Sequence, residues 1–552
     1  MPNFLQYIFR RLQTSPGRIV LREVRGDQFF SVTAGELLVM VDTARQYFRA
    51  QQVPPGERCG LIAANSIQWI AADLALMAEG IIVVPLYHRQ TAGELAGMLK
   101  DCQPRLVLAG DDETSNTLSN AWPQVPAPVP LAKIFSNAVP QSTTSALREA
   151  ADNELLTIIY TSGTSGEPKG VCLNIGNLNH MTGCTTDRLN QLMGNTAGAD
   201  QIFLYAPMNF AASWMLMLSA LLRESVLTLS TDLNKLADEI QLSIPHYFLN
   251  VPTLLERVKR AVEDNLAKQP APIRSLYKKT REAWQRQNVG RSKPFDGFTL
   301  ALGSRLIFSK IKARFGPNIR ALICGSAPLA PETQQWFRMI GIPVLQAYGL
   351  TETTALCTLD DPRLPVEPGY VGRAVPGIEM QLAENDEIIV RGPNIFPGYW
   401  NRPEETARVL RDGWFHTGDQ GEVNASGNWR IIGRIKNLLV LNTGHKFAPE
   451  PVEDKLAQLL PAAQQIVLIG NARSYVTMLV AGKIEAGAVQ SAIDQINPNL
   501  PHYRQIRNFQ ILPEPFTPDS GLVTANGKLK RDAIAKRYDA EINSMYARKA
   551  SA

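Results

Sequence analysis

The apolar residues near the start of the chain follow two alternating patterns. One pattern recurs at helical spacing and predicts amphipathic helices. An example is the set Leu37, Leu38, Val41, Ala44 and Phe48. The other pattern is the continuous β-branched run 81–87, which predicts a buried strand. Because strands of this fully apolar kind alternate with helices, as in parallel sheets covered on both faces, the pattern predicts an α/β fold.

Capping signals indicate where several helices begin. Thr33 with Glu36, and Thr91 with Glu94, have the spacing of a capping box, in which each side chain bonds the other residue's backbone N–H. A further helix is predicted over 66–79. Additional strands are predicted over 105–109, 155–160, 202–207, 320–324 and 343–347.

Two other apolar segments each have two interpretations. Residues 4–12 are amphipathic and predict a helix that docks on the protein, or one that lies on a membrane surface. They lack the unbroken apolar core of a secretory signal. The thirteen residues 210–222 are too few to span a bilayer as a helix. They predict a buried core helix, whose first turn also offers Phe210 and Trp214 as walls of an apolar substrate pocket.

Length and composition set the broad class. A chain of 552 residues exceeds one ordinary domain, and 45% apolar residues suffice for large cores. The six cysteines form no Cys-x-x-Cys pair, so neither a zinc site nor a disulfide framework is indicated. A reducing compartment is therefore the default, and a cytoplasmic location is expected. The net charge of +5 is small. The basic segment 259–312 contains Trp284 and Phe295, but its charges follow helical spacing, which favours a solvated helical face over nucleic-acid binding.

A glycine-rich loop is the strongest local signal in the chain. It spans 160–170 and is preceded by the predicted strand 155–160. Glycine lets backbone amides approach a ligand closely, and consecutive N–H groups form an anion-binding nest. Lys169 adds a mobile cation suited to phosphate. The alternative is a flexible surface turn. The phosphate-binding candidates are Thr161, Ser162, Gly163, Thr164, Ser165, Gly166 and Lys169.

Two predicted parallel strands end in further glycine turns. The first, 320–324, is followed by Gly325, and the second, 343–347, is followed by Tyr348 and Gly349. Ligands bind at the carboxyl ends of such strands. Tyr348 suits an adenine face, and the carboxylate of Glu352 is an oxygen ligand that Mg²⁺ accepts beside a triphosphate.

The last part of the chain carries scattered candidates. Asp419 follows Gly418 and is either a ribose ligand or a turn residue, and Arg434 follows a predicted strand. A helix is predicted with Val452, Leu456, Leu459 and Leu460 on one face. Lys528 lies in a charged tail, where a solvated role is the alternative.

These motifs, in this order, resemble the adenylate-forming enzymes, which include acyl-CoA synthetases, luciferases and the adenylation domains of peptide synthetases. The resemblance extends from about residue 30 to about residue 535. It implies a large N-terminal domain, 1–435, of parallel α/β sheets with an additional β region. It also implies a small mobile C-terminal α+β domain, 436–552, that carries the catalytic lysine.

The resemblance implies activation of a carboxylic acid by ATP and Mg²⁺ through an acyl-AMP intermediate, and then thioester formation. Thr164, Glu352 and Lys528 would be catalytic, with Glu352 as the metal ligand. Lys436 matches the family's hinge, and Gly444 its thiol channel. The implied nucleotide contacts, besides the loop and Lys528, are Ser326, Ala327, Pro328, Gln346, Ala347, Tyr348, Gly349, Thr351, Asp419 and Arg434. The implied acid contacts are Phe210, Trp214 and Gly325.

Segments 306–311, 325–329 and 516–531 look like the long-chain fatty acyl branch, which implies a fatty acid–CoA ligase. Two alternatives stay open: an acyl-AMP ligase that loads an acyl carrier protein, and a non-catalytic binder of acyl groups or nucleotides. Small-molecule substrates, no nucleic acid and at most peripheral membrane contact are expected.

Overall fold

The computed structural model describes residues 3–136, 146–162, 168–194, 200–517, 520–523 and 528–547. They form two compact units. The first comprises 1–380, 390–415 and 424–429, and the second comprises 381–389, 416–423 and 430–552. The predicted boundary after residue 435 stays a prediction.

Two large sheets carry the first unit, and their central strands are parallel. The nine-stranded sheet has the order Arg373–Ala374, Thr358–Leu359, Val344–Tyr348, Ala321–Cys324, Tyr247–Asn250, Gln201–Leu204, Val226–Leu229, Ile19–Arg25 and Gln28–Thr33. The seven-stranded sheet has the order Gly398–Tyr399, Pro168–Asn174, Leu155–Ser162, Ile82–Leu86, Arg58–Ile62, Leu106–Ala109 and Val129–Pro130. The predicted α/β class is confirmed.

Three smaller sheets follow. One has the order Glu379–Leu382, Glu387–Arg391, Trp414–Val423 and Leu410–Arg411, with Trp429–Arg434 also paired to Trp414–Val423. In the second unit, Leu439–Val440 pairs with Lys446–Phe447, and a three-stranded sheet has the order Gln465–Ile469, Val476–Ala481 and Ile506–Leu512.

Helices cover these sheets. Those of the first unit are Phe4–Thr14, Ala34–Ala50, Ile67–Ala78, Ala92–Cys102, Asp112–Ala121, Leu131–Phe135, Ile175–Met193, Ala211–Leu222, Leu236–Ser243, Pro252–Ala267, Ala271–Asn288, Asp296–Gly303, Ser309–Ala313, Pro331–Met339 and Pro403–Val409. Those of the second unit are Glu450–Leu459, Ala486–Ile496, Arg531–Arg537 and Asp539–Ala547. Ser304–Phe308 is a π-helical turn, and short 3₁₀ turns lie at Leu233–Lys235, Thr351–Thr353, Glu384–Asp386, Ile435–Asn437, Asn497–Asn499 and His502–Arg504.

The predicted helix starts are confirmed. Both capping boxes form, so the helices after Thr33 and Thr91 begin where their sequences indicate. The N-terminal helix docks on the protein, since its apolar side chains are buried. They are Phe4, Leu5, Ile8, Phe9 and Leu12.

Some predicted details are wrong. The strand predicted over 202–207 ends at Leu204, before Pro207, which has no N–H for a sheet. Leu459, the last residue of its helix, is exposed, whereas Val452, Leu456 and Leu460 are buried. A strand not predicted at all, Pro168–Asn174, follows the glycine loop and pairs antiparallel with Leu155–Ser162.

Candidate active site

The two strands that flank the glycine loop form an antiparallel hairpin near one edge of the seven-stranded sheet. Its strands pair up to Thr161 with Lys169 and Ser162 with Pro168. On the other side of the hairpin, the Trp400 N–H donates to the Gly170 carbonyl over 2.7 Å. The loop residues Gly163, Thr164, Ser165 and Gly166, and the side chain of Ser162, lie outside the described residues.

Lys169 has two partners at the base of the loop. Its ammonium forms an ion pair with Glu405. It also lies 5.4 Å from the ring centre of Tyr399, within cation–π range. A cation held this way lies beside the loop with its charge already opposed by one carboxylate.

Glu352 contacts the same tyrosine. It lies in the short helix Thr351–Thr353, and its Oε1 accepts a hydrogen bond from the Tyr399 hydroxyl over 2.8 Å. Its backbone carbonyl accepts from the Phe396 N–H over 2.9 Å. Tyr399 therefore joins the lysine of the loop to the predicted metal ligand, although the two are far apart in sequence.

Tyr399 and Glu405 are candidate functional residues that the sequence reasoning missed. The available signal was the motif Gly398-Tyr399-Trp400, in which a glycine precedes two aromatic residues. The strand Gly398–Tyr399 has only two residues and pairs with Pro168–Asn174. A strand this short gives no periodicity from which to predict it.

The predicted nucleotide edge lies at the carboxyl ends of two parallel strands. Ala321–Cys324 and Val344–Tyr348 pair in register, with Cys324 opposite Gln346. The next residues after the first strand are buried Gly325 and then exposed Ser326, Ala327 and Pro328. Ser326 has φ of +73°, a strained conformation of the kind found at ligand sites.

The second strand contributes a more buried set. Gln346 is fully buried, and its side-chain amide donates to Gln334 Oε1 and to the Tyr370 carbonyl, each over 2.9 Å. Tyr348 is also buried. A Cβ on Gly349 would overlap the Ala355 carbonyl, so only glycine fits there. Ala347 and Thr351 are partly exposed.

Two of the three predicted acid contacts, Phe210 and Trp214, differ in exposure. Phe210 precedes the helix Ala211–Leu222, is partly exposed, and its ring centre lies 6.3 Å from that of Tyr87. Trp214 is buried, and its Nε1 donates to Asp73 Oδ2 over 2.8 Å. Burial raises the pKa of Asp73 to about 7, and the bond from Trp214 lowers it in part. Trp214 is thus a core residue, whereas Phe210 offers a surface to a ligand.

In the second unit, four other predicted residues lie close enough together to influence one another electrostatically. Asp419 Oδ1 pairs with Arg434 Nε over 2.7 Å. Partial burial of the Lys436 ammonium, reinforced by the nearby charges of Arg434 and Lys528, lowers the pKa of Lys436 to about 8. The carboxylates of Asp532 and Asp419 oppose this shift.

Asp419 does not lie in a turn, as one interpretation of its sequence proposed. It is buried within the ten-residue strand Trp414–Val423, and Gly418 before it has φ of +69°. The glycine takes the left-handed conformation inside a paired strand, which marks a local irregularity and not the end of the strand.

Lys528 and Gly444 lie at exposed positions of the second unit. Lys528 comes between Val523 and Leu529, which form an isolated antiparallel bridge. Gly444 has φ of +83° in a turn closed by its own N–H on the Leu441 carbonyl over 2.9 Å.

The described residues lack two features, a preformed metal cluster and a membrane-spanning helix. They contain no group of three or more His, Cys, Asp or Glu side chains arranged to hold a metal ion by themselves. No helix in the same ranges is long and apolar enough to cross a membrane.

Solved structures of similar fold are adenylate-forming enzymes. O-succinylbenzoate coenzyme A synthetase of Bacillus subtilis, in complex with AMP, is 19% identical with a TM-score of 0.73, and the match covers 96% of this chain and 98% of that one. Mycobacterium tuberculosis fatty acyl CoA synthetase is 20% identical with a TM-score of 0.66, and 98% and 99% are covered. The fold is that of the adenylate-forming enzymes.

Sequence comparison is more specific. Residues 8–400 match the AMP-binding enzyme family, and residues 436–550 match the AMP-binding enzyme C-terminal domain. The long-chain-fatty-acid–CoA ligase FadD15 of Mycobacterium bovis is 27% identical over 99% of this chain and 97% of its own length. Long chain acyl-CoA synthetase 3 of Arabidopsis thaliana is 27% identical over 90% and 84%. The chain belongs to the AMP-binding enzyme family, and at the level of this family the predicted AMP-forming acid–CoA ligase is confirmed.

Proposed function

We propose that this protein is an ATP-dependent fatty acid–CoA ligase that works through an acyl-AMP intermediate. The observation that carries the proposal is the contact of Lys169 and Glu352 with one side chain, Tyr399, beside the glycine loop. A cation suited to phosphate oxygens and a carboxylate suited to Mg²⁺ are thereby held together. The names of the relatives above support a fatty acid as the substrate.

The chemistry explains why such groups are needed. A carboxylate is a poor electrophile, because its charge repels nucleophiles and oxide is a poor leaving group. In the first step, a carboxylate oxygen attacks the α-phosphorus of ATP, the bond to the β-phosphate breaks, and pyrophosphate leaves. In the second step, the thiol sulfur attacks the acyl carbon, the bond to AMP breaks, and the thiol proton is released. Fixed donors and cations stabilise the charge that builds on phosphorus.

The residues around Tyr399 fit a magnesium triphosphate. Mg²⁺ in phosphate sites takes one or two carboxylates, and substrate oxygens and water complete its shell. Glu352 fits this role, since Tyr399 occupies only its Oε1 and no described residue bonds its Oε2. When bound, the ion neutralises phosphate charge and polarises the P–O bonds. Lys169, Thr161, Ser162, Thr164 and the loop amides are proposed to hold the β- and γ-phosphates.

The ion pair of Lys169 with Glu405 gives the loop a resting partner. A triphosphate carries more negative charge than one carboxylate, so we propose that Lys169 exchanges Glu405 for phosphate oxygens when ATP binds. Glu405 then lowers the affinity for ATP, but it keeps the lysine oriented before binding.

The strand ends supply the nucleotide and acid contacts of the proposal. Exposed Ser326, Ala327 and Pro328 suit one side of adenine. Gln346 is proposed to act indirectly, because its amide is already bonded to Gln334 and a backbone carbonyl. Phe210, being partly exposed, is the better candidate of the two helix residues for contact with an acyl chain.

The second unit supplies the remaining roles. We propose that Asp419 and Arg434 bind ribose, and that Lys528 contacts the carboxylate and α-phosphate during the first step. Lys436 is the proposed hinge and Gly444 the proposed thiol-channel residue. The mutual electrostatic influence of Lys528, Lys436 and Arg434 supports a common role in binding anionic groups.

A cytoplasmic location is also part of the proposal. None of the six cysteines, all of which are described, forms a disulfide, which is compatible with a reducing compartment. ATP and CoA are available there.

The experiment is a pyrophosphate-release assay over saturated fatty acids of increasing length, with Mg²⁺ and ATP, and with or without CoA. We expect release with long acids and acyl-CoA formation when CoA is present. If no acid gives pyrophosphate and AMP, the proposal is wrong. If preformed acyl-AMP is consumed by holo acyl carrier protein and not by CoA, the thiol acceptor is the carrier protein.

A further inference from the structure

The segment after the helix Ala271–Asn288 exposes a row of large apolar side chains. Phe295 is 80% exposed and Phe298 is 70% exposed, the two highest values for large apolar residues in the described part of the chain. We call the row the apolar ridge. Its members are Val289, Phe295, Phe298, Leu302 and Leu306. Soluble monomers rarely leave contiguous apolar patches without a function.

Helical geometry places most of the apolar ridge on one face. The helix Asp296–Gly303 continues directly through Ser304–Phe308 into Ser309–Ala313. Phe298, Leu302 and Leu306 are spaced by four residues, so they lie on the same side. The other side is anchored, since Ile307 and Phe308 are buried and Gly303 lies against Thr280. The exposure is therefore a property of a fixed helix.

The charges around the apolar ridge are positive. Residues 289–314 contain six Lys or Arg and one acid, Asp296. Asp296 is buried and its Oδ2 accepts from Arg286 Nε over 2.9 Å, so it gives no negative charge to the surface. Five of the six cations are exposed and make no ion pair with any carboxylate of the described residues. They are Arg291, Lys293, Arg305, Lys310 and Arg314.

An anionic bilayer surface is the occupant that matches both features. Aromatic and leucine side chains enter the boundary between headgroups and acyl chains, while Lys and Arg pair with anionic headgroups. A second copy of the apolar ridge would bring like charges together, which opposes self-association. Nucleic acid would match the cations but would leave Val289, Leu302 and Leu306 in water.

We infer that the apolar ridge and its five exposed cations dock this protein on the surface of an anionic lipid bilayer. The inference goes beyond the proposed function and does not require it, because it rests on the surface of the first unit alone. If the ligase activity is present, docking brings the enzyme to the phase in which long-chain acids concentrate.

The experiment is cosedimentation of the full chain with vesicles of phosphatidylglycerol mixed with phosphatidylcholine, and with vesicles of phosphatidylcholine alone. We expect binding to the anionic vesicles that weakens with salt, and weaker binding to neutral ones. Phe295→Ala combined with Phe298→Ala should weaken binding roughly tenfold or more, since two largely exposed aromatic rings lose their burial in lipid. Phe30→Ala, an exposed phenylalanine elsewhere, is the matched control and should bind as the wild type.

The charge contribution is tested separately. Arg291→Gln combined with Lys293→Gln should weaken binding to anionic vesicles roughly tenfold at low salt and leave binding to neutral vesicles unchanged. Lys100→Gln combined with Arg105→Gln, at exposed positions away from the apolar ridge, is the control and should have little effect.

Three results would overturn the inference. One is a wild-type chain that does not bind anionic vesicles, and another is a double phenylalanine variant that binds as the wild type does. The third is a wild-type chain that forms a dimer and does not bind vesicles, with the dimer lost in the double phenylalanine variant; this would identify a second copy as the occupant.

The activity control uses octanoate in lipid-free buffer, where the double phenylalanine variant should form acyl-CoA at the wild-type rate. If neither the wild type nor the variant forms acyl-CoA, the proposed function is contradicted, but the vesicle-binding result can still be interpreted.

Discussion

Tyr399→Phe removes one hydroxyl from the centre of the candidate active site and keeps the ring. The described interaction that is lost is the 2.8 Å hydrogen bond to Glu352 Oε1. The ring contacts stay, because Phe also places a π face 5.4 Å from the Lys169 ammonium and an edge against Phe396. The substitution therefore tests the link between the tyrosine and the predicted metal ligand, and the double-mutant cycle below separates this link from other effects of the hydroxyl.

The magnitude follows from the partners. A hydrogen bond to a charged group contributes about 1.5–3 kcal/mol net. Glu352 is partly exposed, so water can replace the hydroxyl, and the lower end of that range applies. About 1.5 kcal/mol corresponds to a roughly tenfold change. We therefore expect kcat/KM for ATP to fall roughly tenfold at subsaturating Mg²⁺, with partial recovery at high Mg²⁺.

The assay is pyrophosphate release from ATP with a fatty acid, measured across a Mg²⁺ titration. Tyr277→Phe is a matched control, since the Tyr277 hydroxyl donates to another glutamate, Glu263 Oε1, over 3.2 Å in the same unit. A double-mutant cycle with Glu352→Gln measures the coupling directly. If Tyr399 acts through Glu352, its substitution should change the rate by less than about twofold in the Glu352→Gln background.

The reasoning fails if Tyr399→Phe leaves kcat/KM within about twofold of the wild type at every Mg²⁺ concentration while its denaturation midpoint is unchanged. It also fails if the two substitutions are fully additive, since the tyrosine would then act independently of the glutamate. An equal loss in Tyr277→Phe would indicate a general effect of removing a tyrosine hydroxyl from this unit.

Four further predictions follow from single positions. Lys528→Ala should lower acyl-AMP formation roughly 10²–10³-fold, the cost of removing one fixed donor, but should change thioester formation from supplied acyl-AMP far less. Lys436→Pro should allow acyl-AMP formation and impair thioester formation, because proline restricts the backbone at the proposed hinge; normal overall turnover would contradict this. Gly349→Ala should lower the denaturation midpoint clearly, since a Cβ overlaps the Ala355 carbonyl. Burial raises the pKa of Asp73 from 3.8 to about 7, so the folded state holds a proton that the unfolded chain releases, and this stabilisation is lost as pH rises through that window. Asp73→Asn should therefore reduce the fall in denaturation midpoint between pH 4 and about 7, and an unchanged slope would argue against a buried, protonated Asp73.

Much of the fold follows from local signals in the sequence. The capping boxes at Thr33 and Thr91 form as their spacing indicates, because both partners lie within one turn. The parallel strands 321–324 and 344–348 follow from short apolar runs that end in glycine. These features depend on neighbours in the chain, so a single sequence carries them.

Two of the errors occur where distant partners decide the structure. Gly418-Asp419 has the composition of a turn, but pairing on both sides keeps it in a strand. The strand Pro168–Asn174 begins with turn-forming residues and has only a short apolar centre, so its pattern is weak. It forms because Leu155–Ser162 and Gly398–Tyr399 pair with its two edges.

The same distinction explains what could be predicted of the candidate active site. The chemistry of Lys169 and Glu352 can be predicted from their neighbours in the sequence. A glycine loop that contains a lysine suggests a phosphate ligand, and so does a carboxylate that follows a strand. Their common partner, Tyr399, cannot be predicted from the sequence. A two-residue strand brings it to them, and that strand pairs with residues more than two hundred positions away. The ion pair with Glu405 depends on the same segment. Under the proposed function, the motifs supply the phosphate and metal ligands, and the late segment around Tyr399 orients them. Substitutions in that segment should then change nucleotide and metal affinity without altering any residue of the recognised motifs.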